Sequence, residues 1–243
     1  MTFRIPRRPR LGACRPVLSS ATLVAAIVSA APARAQQEDG QLWLQANTNV
    51  PLADKLRITL EQIARFSDRQ KGLYQSELGG LLGYRVADNV ELGFGYRWVG
   101  AHNGNTGANE NRIRQQVVAT FGPVTTRFRV DERFNPRGSE IGFRIRQLVR
   151  YNHKIGKKGV ALFVSHESFF LPNTTSWGQR SGYERMRNLV GVAVPIGKAM
   201  SADIGYLNQY RFGRGGARPQ MDHALSVQLT INLRGLVAPN VHD

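Results

Sequence analysis

The feature that most constrains the fold of this chain is an alternation of charged and apolar side chains with a period of two. It is clearest in TTRFRVDERF (125–134), where charges occupy positions 127, 129, 131 and 133, with Phe128 and Val130 among the residues between them. Because successive side chains of a β-strand point to opposite faces, this segment predicts a strand with one charged face and one apolar face. Alternation alone leaves open which face meets the core.

The same alternation recurs along the chain and predicts eleven strands. Each is near the length that a strand needs to cross a bilayer at a tilt. They are expected at residues 41–50, 56–66, 74–86, 90–99, 111–121, 124–133, 141–152, 160–169, 183–194, 200–211 and 222–233.

Within these segments the apolar residues keep to one phase, as Leu78, Leu82 and Phe94 do, and the charged or very small residues keep to the other. In a barrel with the apolar phase outward, the charged phase lines the lumen. The residues predicted to form a charge lattice there are Arg57, Glu61, Arg65, Glu77, Arg97, Arg112, Arg114, Arg127, Arg129, Asp131, Arg133, Arg144, Arg146, Arg185 and Arg187.

The N-terminus predicts export. Residues 1–15 carry five arginines and no acid, residues 17–31 are apolar, and Ala33-Arg34-Ala35 places small residues before a cleavage site at Gln36. This is the layout of a secretory signal peptide, and the apolar run is short and rich in Ala and Ser for a transmembrane anchor. We therefore expect a signal peptide over 1–35.

Composition excludes two further classes of protein. The single cysteine, Cys14, lies in the predicted signal, so a disulfide-stapled secreted domain is excluded. Removing the six arginines of 1–35 lowers the formal net charge from +16 to +10. The remaining arginines are spaced by two along strands rather than clustered, so we expect no nucleic acid as a partner.

Loop lengths favour an apolar face turned to lipid. Short connections such as Gly122–Pro123 alternate with longer ones such as GAHNGNTGANE (100–110), as in outer-membrane barrels. We therefore predict an all-β, antiparallel up-and-down transmembrane β-barrel of about 10–12 strands over 36–233, in the outer membrane of a Gram-negative bacterium. A short polar tail, 234–243, follows. Because bacterial barrels have an even number of strands, ten strands with an extra N-terminal one, or twelve, both stay open.

Several segments resemble a known family. These are RFRVDERF (127–134), the strand around Trp43, Arg57…Glu61…Arg65, and the later Phe143-Arg144-Ile145-Arg146, Arg187…Gly191 and Gly205-Tyr206. Together they resemble domain-of-unknown-function family 2490 over nearly the whole exported chain. The resemblance implies an outer-membrane-type barrel with no known activity. The C-terminus differs from that of most outer-membrane barrels, because the last predicted strand ends on Leu233 rather than on an aromatic residue.

Two functions are compatible with an arginine-rich lumen. Arginines paired with carboxylates would plug and stiffen the barrel as a structural lattice, because lone buried charges are costly. An excess of arginine would instead make a small anion-permeable pore. The expected partners are outer-membrane lipid and, for the pore, small anions. The sequence leaves the oligomeric state undetermined.

A lipid-modifying enzyme is an alternative, although we expect no enzymatic activity and no cofactor. In Ser165-His166-Glu167-Ser168, His166 and Ser168 share a strand face, as a base and a nucleophile must. The pair resembles the His-x-Ser of outer-membrane lipid A deacylases, but an orienting carboxylate cannot be placed, since Glu167 points the other way. The other histidines lack metal-ligand spacing. A soluble periplasmic ligand-binding barrel with an apolar pocket is a further alternative.

Overall fold

The computed structural model describes residues 36–105, 109–156 and 158–233, and in these ranges the chain forms a closed barrel of eleven strands. The all-β barrel predicted from the alternation is confirmed. The predicted signal peptide (1–35) and the polar tail (234–243) lie outside the described residues. Among the residues that are described, no helix is long and apolar enough to cross a membrane.

All eleven predicted segments correspond to strands, most of them longer than predicted. The strands are β1 (Gln37–Ala53), β2 (Leu56–Ser67), β3 (Gly72–Ala87), β4 (Val90–Ala101), β5 (Glu110–Phe121), β6 (Val124–Phe134), β7 (Ile141–Ile155), β8 (Val160–Leu171), β9 (Gly182–Ile196), β10 (Met200–Arg211) and β11 (Gln220–Asn232).

The barrel closes through a parallel pair of strands. Each strand pairs in antiparallel fashion with its neighbour in sequence, but β1 runs parallel to β11, with Leu44 opposite Val227. In an up-and-down barrel the first and last strands point the same way whenever the strand number is odd. The eleven predicted segments, within the predicted range of about 10–12 strands, are confirmed. The even number that is general for bacterial barrels does not apply, because β1 is a full wall strand, and among the described strands the pairing is antiparallel except between β1 and β11.

The connections separate by length to the two ends of the barrel. The short-turn end carries the connections of two to four residues at 54–55, 88–89, 122–123, 156–159 and 197–199. The long-loop end carries those of four to ten residues at 68–71, 102–109, 135–140, 172–181 and 212–219. Because β1 begins at the long-loop end and β11 finishes at the short-turn end, the two ends of the barrel chain lie at opposite rims.

The apolar phase faces outward and the charged phase faces inward. Leu78, Phe94 and Val190 are between 54% and 57% exposed, whereas Arg127 and Asp131 are 0% exposed. A soluble barrel with an apolar pocket requires the reverse orientation. The described strands instead surround a charged interior with an apolar wall.

Two facing glycines make room for the apolar part of the interior. Gly191 on β9 is paired with Gly205 on β10. A Cβ added at Gly191 would lie 2.8 Å from the Gly205 Cα and 2.9 Å from the Phe163 ring. The absence of side chains at this pair therefore lets the Phe163 ring lie against the barrel wall, in a cluster with Trp43, Leu189, Leu207 and Ala224.

The parallel closure predicts a specific cross-link. The natural cysteine lies in the predicted signal peptide, so it does not interfere. In the double mutant Leu44→Cys, Val227→Cys, the two thiols should form a disulfide under mild oxidation, because the two positions face each other across β1 and β11. The measurement is the mobility of the oxidised and reduced double mutant on a denaturing gel.

The matched control pairs Leu44→Cys with Val190→Cys, which lies on β9, two strands further around the wall. We expect no cross-link there. A cross-link in the control, or none between 44 and 227, would contradict the eleven-strand closure.

Candidate functional site: the charged lumen

The lumen holds the arginines and acids that the alternation assigns to one strand face. Arg112, Arg133 and Arg185 are partly exposed near the long-loop end. The remaining members of the predicted set are buried: Arg57, Glu61, Arg65, Glu77, Arg97, Arg114, Arg127, Arg129, Asp131, Arg144, Arg146 and Arg187.

On the β2–β5 side, two glutamates are shared among several arginines. Arg97 reaches Glu61 and Glu77, each at 2.9 Å, and lies between them. Glu61 also pairs with Arg114, and Glu77 with Arg65 at 3.2 Å. The planar guanidinium carries five N–H donors in a fixed fork, so one arginine can satisfy two carboxylates on different strands.

On the opposite side, Glu167 has the same role. Its carboxylate accepts from Arg127 at 2.6 Å and from Arg146 at 2.9 Å and 3.0 Å. Arg187 lies further off, at 3.7 Å. Glu167 therefore faces positive charges from strands β6, β7 and β9 at once, and it is the centre of this half of the lattice.

Nearer the short-turn end, the pairs are simpler. Arg57 binds Glu91 through two parallel hydrogen bonds of 2.8 Å and 2.6 Å, and Arg150 donates to Asp203 at 2.6 Å. Bidentate pairs of this kind are among the strongest that side chains make. Arg57 and Arg150 are therefore each compensated by a carboxylate from another strand.

Aromatic rings inside the barrel provide a second kind of support for the guanidinium groups. Arg65 and Arg187 lie over the Trp43 ring at 4.2 Å and 4.7 Å, and Arg150 lies 3.8 Å from the centre of Phe163. A cation over an aromatic face is stabilised by about 0.5–2 kcal/mol, more when it is desolvated. These rings therefore add to the support that Arg65, Arg187 and Arg150 receive from carboxylates.

At the long-loop end, a cavity that we call the arginine chamber is lined mainly by arginine. Its volume is about 180 Å³, and nine arginines but only two glutamates line it. The lining arginines are Arg65, Arg97, Arg112, Arg133, Arg144, Arg146, Arg185, Arg187 and Arg211. A wider cavity of about 710 Å³, here the vestibule, shares Glu110, Arg133 and Arg211 with it and lies among the long loops.

Several donors around the chamber have no acceptor. Nε of Arg65, Nε of Arg185 and Nη1 of Arg187 are buried and have no partner within hydrogen-bond distance. A buried N–H without an acceptor costs about 1–3 kcal/mol, more when it carries charge. Each of these three arginines, which also line the chamber, therefore has one buried donor for which the protein supplies no acceptor.

Sequence reasoning missed some of the acids that matter most. The sequence pattern indicates only that Glu167 faces away from His166, and it puts Glu110 at the end of the 100–110 loop. Glu110 in fact accepts from Arg133 at 2.7 Å and from Arg112 at 2.6 Å. The signal was available for Glu167, because it has the inward phase of β8.

His166 and Ser168 lie outside the lumen. They are on the outer face of β8, and His166 Nε2 is 3.0 Å from Ser168 Oγ. The lattice and this pair are therefore separate features on the two faces of one wall. Within the described ranges, no three His, Cys, Asp or Glu side chains are grouped as a metal site requires.

The lattice predicts a large effect of one neutral substitution. Glu167→Gln should lower the free energy of unfolding by about 3–5 kcal/mol, because Arg127 and Arg146 would lose the charge that compensates their burial. The measurement is a urea titration of the refolded barrel in detergent micelles. Asp54→Asn, in an exposed turn of the short-turn end, is the control and should change stability little. Equal stability of both variants would contradict the role given to Glu167.

Comparison with known proteins yields a family and a relative. The model of a family described as a protein of unknown function, DUF2490, matches residues 40–220, as the resemblance predicted. A protein of Methylorubrum extorquens, itself described as uncharacterized, is 31% identical over 227 residues, which cover 89% of this chain and 97% of the relative.

Proposed function

The chain belongs to the DUF2490 family, and we propose that it is an outer-membrane β-barrel whose closed lumen binds a small oxyanion at the long-loop end. The observation that carries this proposal is the arginine chamber, which nine arginines line, although carboxylates outside the lining, such as Asp131 and Glu184, pair with some of them. The function proposed is binding, and the barrel does not conduct ions.

The outer wall supports a membrane location. The strands have 11 to 17 residues, and a tilted strand needs about 9–11 to cross the hydrocarbon layer. Large apolar side chains such as Leu82, Phe128 and Leu225 are exposed all around the wall. In water a soluble protein rarely exposes so much continuous apolar surface, whereas lipid solvates it at no cost. The predicted signal peptide supplies the route out of the cytoplasm.

The arrangement of cavities favours a closed lumen over a pore. A cavity of about 1130 Å³ at the short-turn end, lined by Arg85, Glu91 and Lys154 among others, shares no lining residue with the arginine chamber or the vestibule. Between them lie lattice side chains such as Arg114 and Arg129, each 1% exposed. An ion crossing the barrel would have to separate these paired charges.

The chemistry of the chamber favours an oxyanion. Guanidinium groups match the planar and tetrahedral oxygens of carboxylate and phosphate better than they match a spherical halide. Arg65, Arg185 and Arg187 line the chamber, and each has one buried donor without an acceptor. An oxyanion in the chamber would lie among these guanidinium groups and accept from them, and the vestibule, which shares lining residues with the chamber, gives it a path from the long-loop side.

Fractionation tests the membrane location. We expect the processed protein to stay with the outer-membrane fraction after washing with salt and carbonate, and to need detergent for extraction. The folded barrel should also migrate faster on a gel when unheated than after boiling. Release of the protein into the periplasmic fraction without detergent would contradict the proposal.

Phosphate binding tests the chamber. At constant ionic strength, inorganic phosphate should raise the unfolding midpoint of the detergent-solubilised barrel in a saturable way. Arg187→Gln and Arg211→Gln should each weaken this binding about tenfold, the effect of losing one charge-assisted hydrogen bond. Arg69→Gln removes the same charge at the long-loop end, outside the chamber, and should leave binding unchanged.

Planar-bilayer recordings separate the chamber from a pore. The reconstituted wild type should be electrically silent, and a steady anion-selective current would overturn the closed lumen. Equal loss of phosphate binding in Arg69→Gln would show that the effect is general surface charge and would overturn the chamber as the site.

A further inference from the structure

We propose that Ser168, His166 and Asn188 form an ester-hydrolysing site on the outer face of the barrel, acting on the acyl esters of membrane lipids. The site is independent of the arginine chamber and rests on the proposed function only through the membrane location. His166 Nε2 is 3.0 Å from Ser168 Oγ, and His166 Nδ1 is 2.8 Å from Asn188 Oδ1.

Strand pairing brings the three residues together. His166 and Ser168 are two apart on β8, so they lie on the same face. Asn188 lies on β9 directly opposite His166 in the antiparallel register. Opposite residues on one face of such a pair have their Cβ atoms about 4.5–5.5 Å apart, which suits a side-chain hydrogen bond. Asn188 could not be identified from the sequence, because the register between β8 and β9 cannot be read from either strand alone.

The polarity of the hydrogen bonds is the one that nucleophilic catalysis requires. Nδ1 of His166 meets a carbonyl oxygen, so the proton of the neutral ring is assigned to Nδ1, where it donates to Asn188. Nε2 is then free to accept the proton of Ser168. Asn188 is a positioning residue, because it holds the ring in this tautomer without touching the substrate.

A further hydroxyl completes the arrangement. The Tyr183 hydroxyl lies 2.8 Å from Ser168 Oγ on the outer face. A carbonyl under attack by Ser168 would place its developing oxyanion near this phenol, which can donate a hydrogen bond to it. Donors aimed at such an oxyanion are typically worth about 10²–10³ in rate.

The surroundings of the site point to a lipid substrate. The neighbouring outward side chains on the two strands are apolar: Val164, Phe170 and Val190 are 52%, 44% and 55% exposed. Ser168 is three residues from the end of β8 at the long-loop rim. In the proposed membrane this depth is near the interface, where the acyl esters of phospholipids and of lipid A lie.

The reaction balances without a co-reactant other than water. Ser168 Oγ bonds to the ester carbonyl carbon while its proton passes to His166 Nε2. The ester C–O bond then breaks, and the lipid alcohol leaves with that proton. Water next attacks the acyl-serine, again giving a proton to His166, and the fatty acid leaves as Ser168 regains its proton.

Acyl release by the folded full-length mature protein tests the site. The protein is assayed in mixed micelles with phospholipid in one arm and lipid A in the other, which identifies the source of the ester. We expect the wild type to release acyl chains in at least one arm. Ser168→Ala and His166→Ala should each lower the rate of release at least about 10³-fold. Tyr183→Phe should lose about 10²-fold.

The positioning role of Asn188 has its own readout. Asn188→Ala should reduce acyl release, and Asn188→Asp should restore it, because aspartate keeps an acceptor for Nδ1. All variants should keep the wild-type difference between unheated and boiled mobility, which shows that the barrel is folded. Failure of Asn188→Asp to restore activity would remove Asn188 from the site.

A fluorophosphonate probe gives a measurement independent of lipid. It should label the wild type at Ser168 and fail to label His166→Ala. The matched control is Ser76→Ala, because Ser76 also has a histidine partner, His102 Nε2, at 2.8 Å. Its activity and labelling should equal those of the wild type. An unlabelled, inactive wild type that still fractionates with the outer membrane would overturn the enzyme and leave the membrane location intact.

Discussion

The structure depends on the cost of placing guanidinium groups inside a narrow cylinder. A buried charge without a counter-charge costs several kcal/mol, so the lumen can hold this many arginines only if carboxylates, aromatic faces or a bound anion compensate them. Most of the compensation comes from residues far apart in sequence: Arg114 with Glu61, Arg127 with Glu167, and Arg150 with Asp203. The lattice therefore links strands that share no backbone hydrogen bonds.

The buried guanidinium groups are compensated in different ways at the two ends of the lumen. Toward the short-turn end, Arg57 and Arg150 each have a carboxylate of their own. Toward the long-loop end, arginines crowd around shared glutamates, and Trp43 and Phe169 supply ring faces for Arg187. This difference distinguishes the two ends of the barrel, since arginine side chains are concentrated at the long-loop mouth. Specific recognition is thus expected at the long-loop end, where the loops and the outer-face Ser168 also lie.

Much of the architecture follows from local pattern. A period of two assigns each side chain to a face, so the inward position of residues such as Arg129 and the outward position of Phe94 could be predicted residue by residue. Pattern could also have placed Trp43 inside, because it shares a phase with the buried Asn47 and Asn49. An even number of strands is a general property of bacterial barrels, and nothing in the sequences of these strands requires it.

What could not be predicted depends on register between strands. The partners of Glu167 come from β6, β7 and β9, and Asn188 meets His166 only because of how β8 and β9 align. Sequence spacing within one strand contains no information on that alignment when loops of ten residues intervene. The size of the arginine chamber likewise depends on how side chains from eight strands pack together.

The parallel pairing of β1 with β11 limits where the ends of the chain can be moved. In a barrel with an even number of strands both ends emerge at one rim, so a short linker can join them and new ends can be opened at any turn. Here the start of β1 and the finish of β11 are separated by the full height of the wall. A linker joining them would have to pass through the occupied interior or run along the apolar outer wall, so this topology does not allow the simple circular permutation that an even strand number permits.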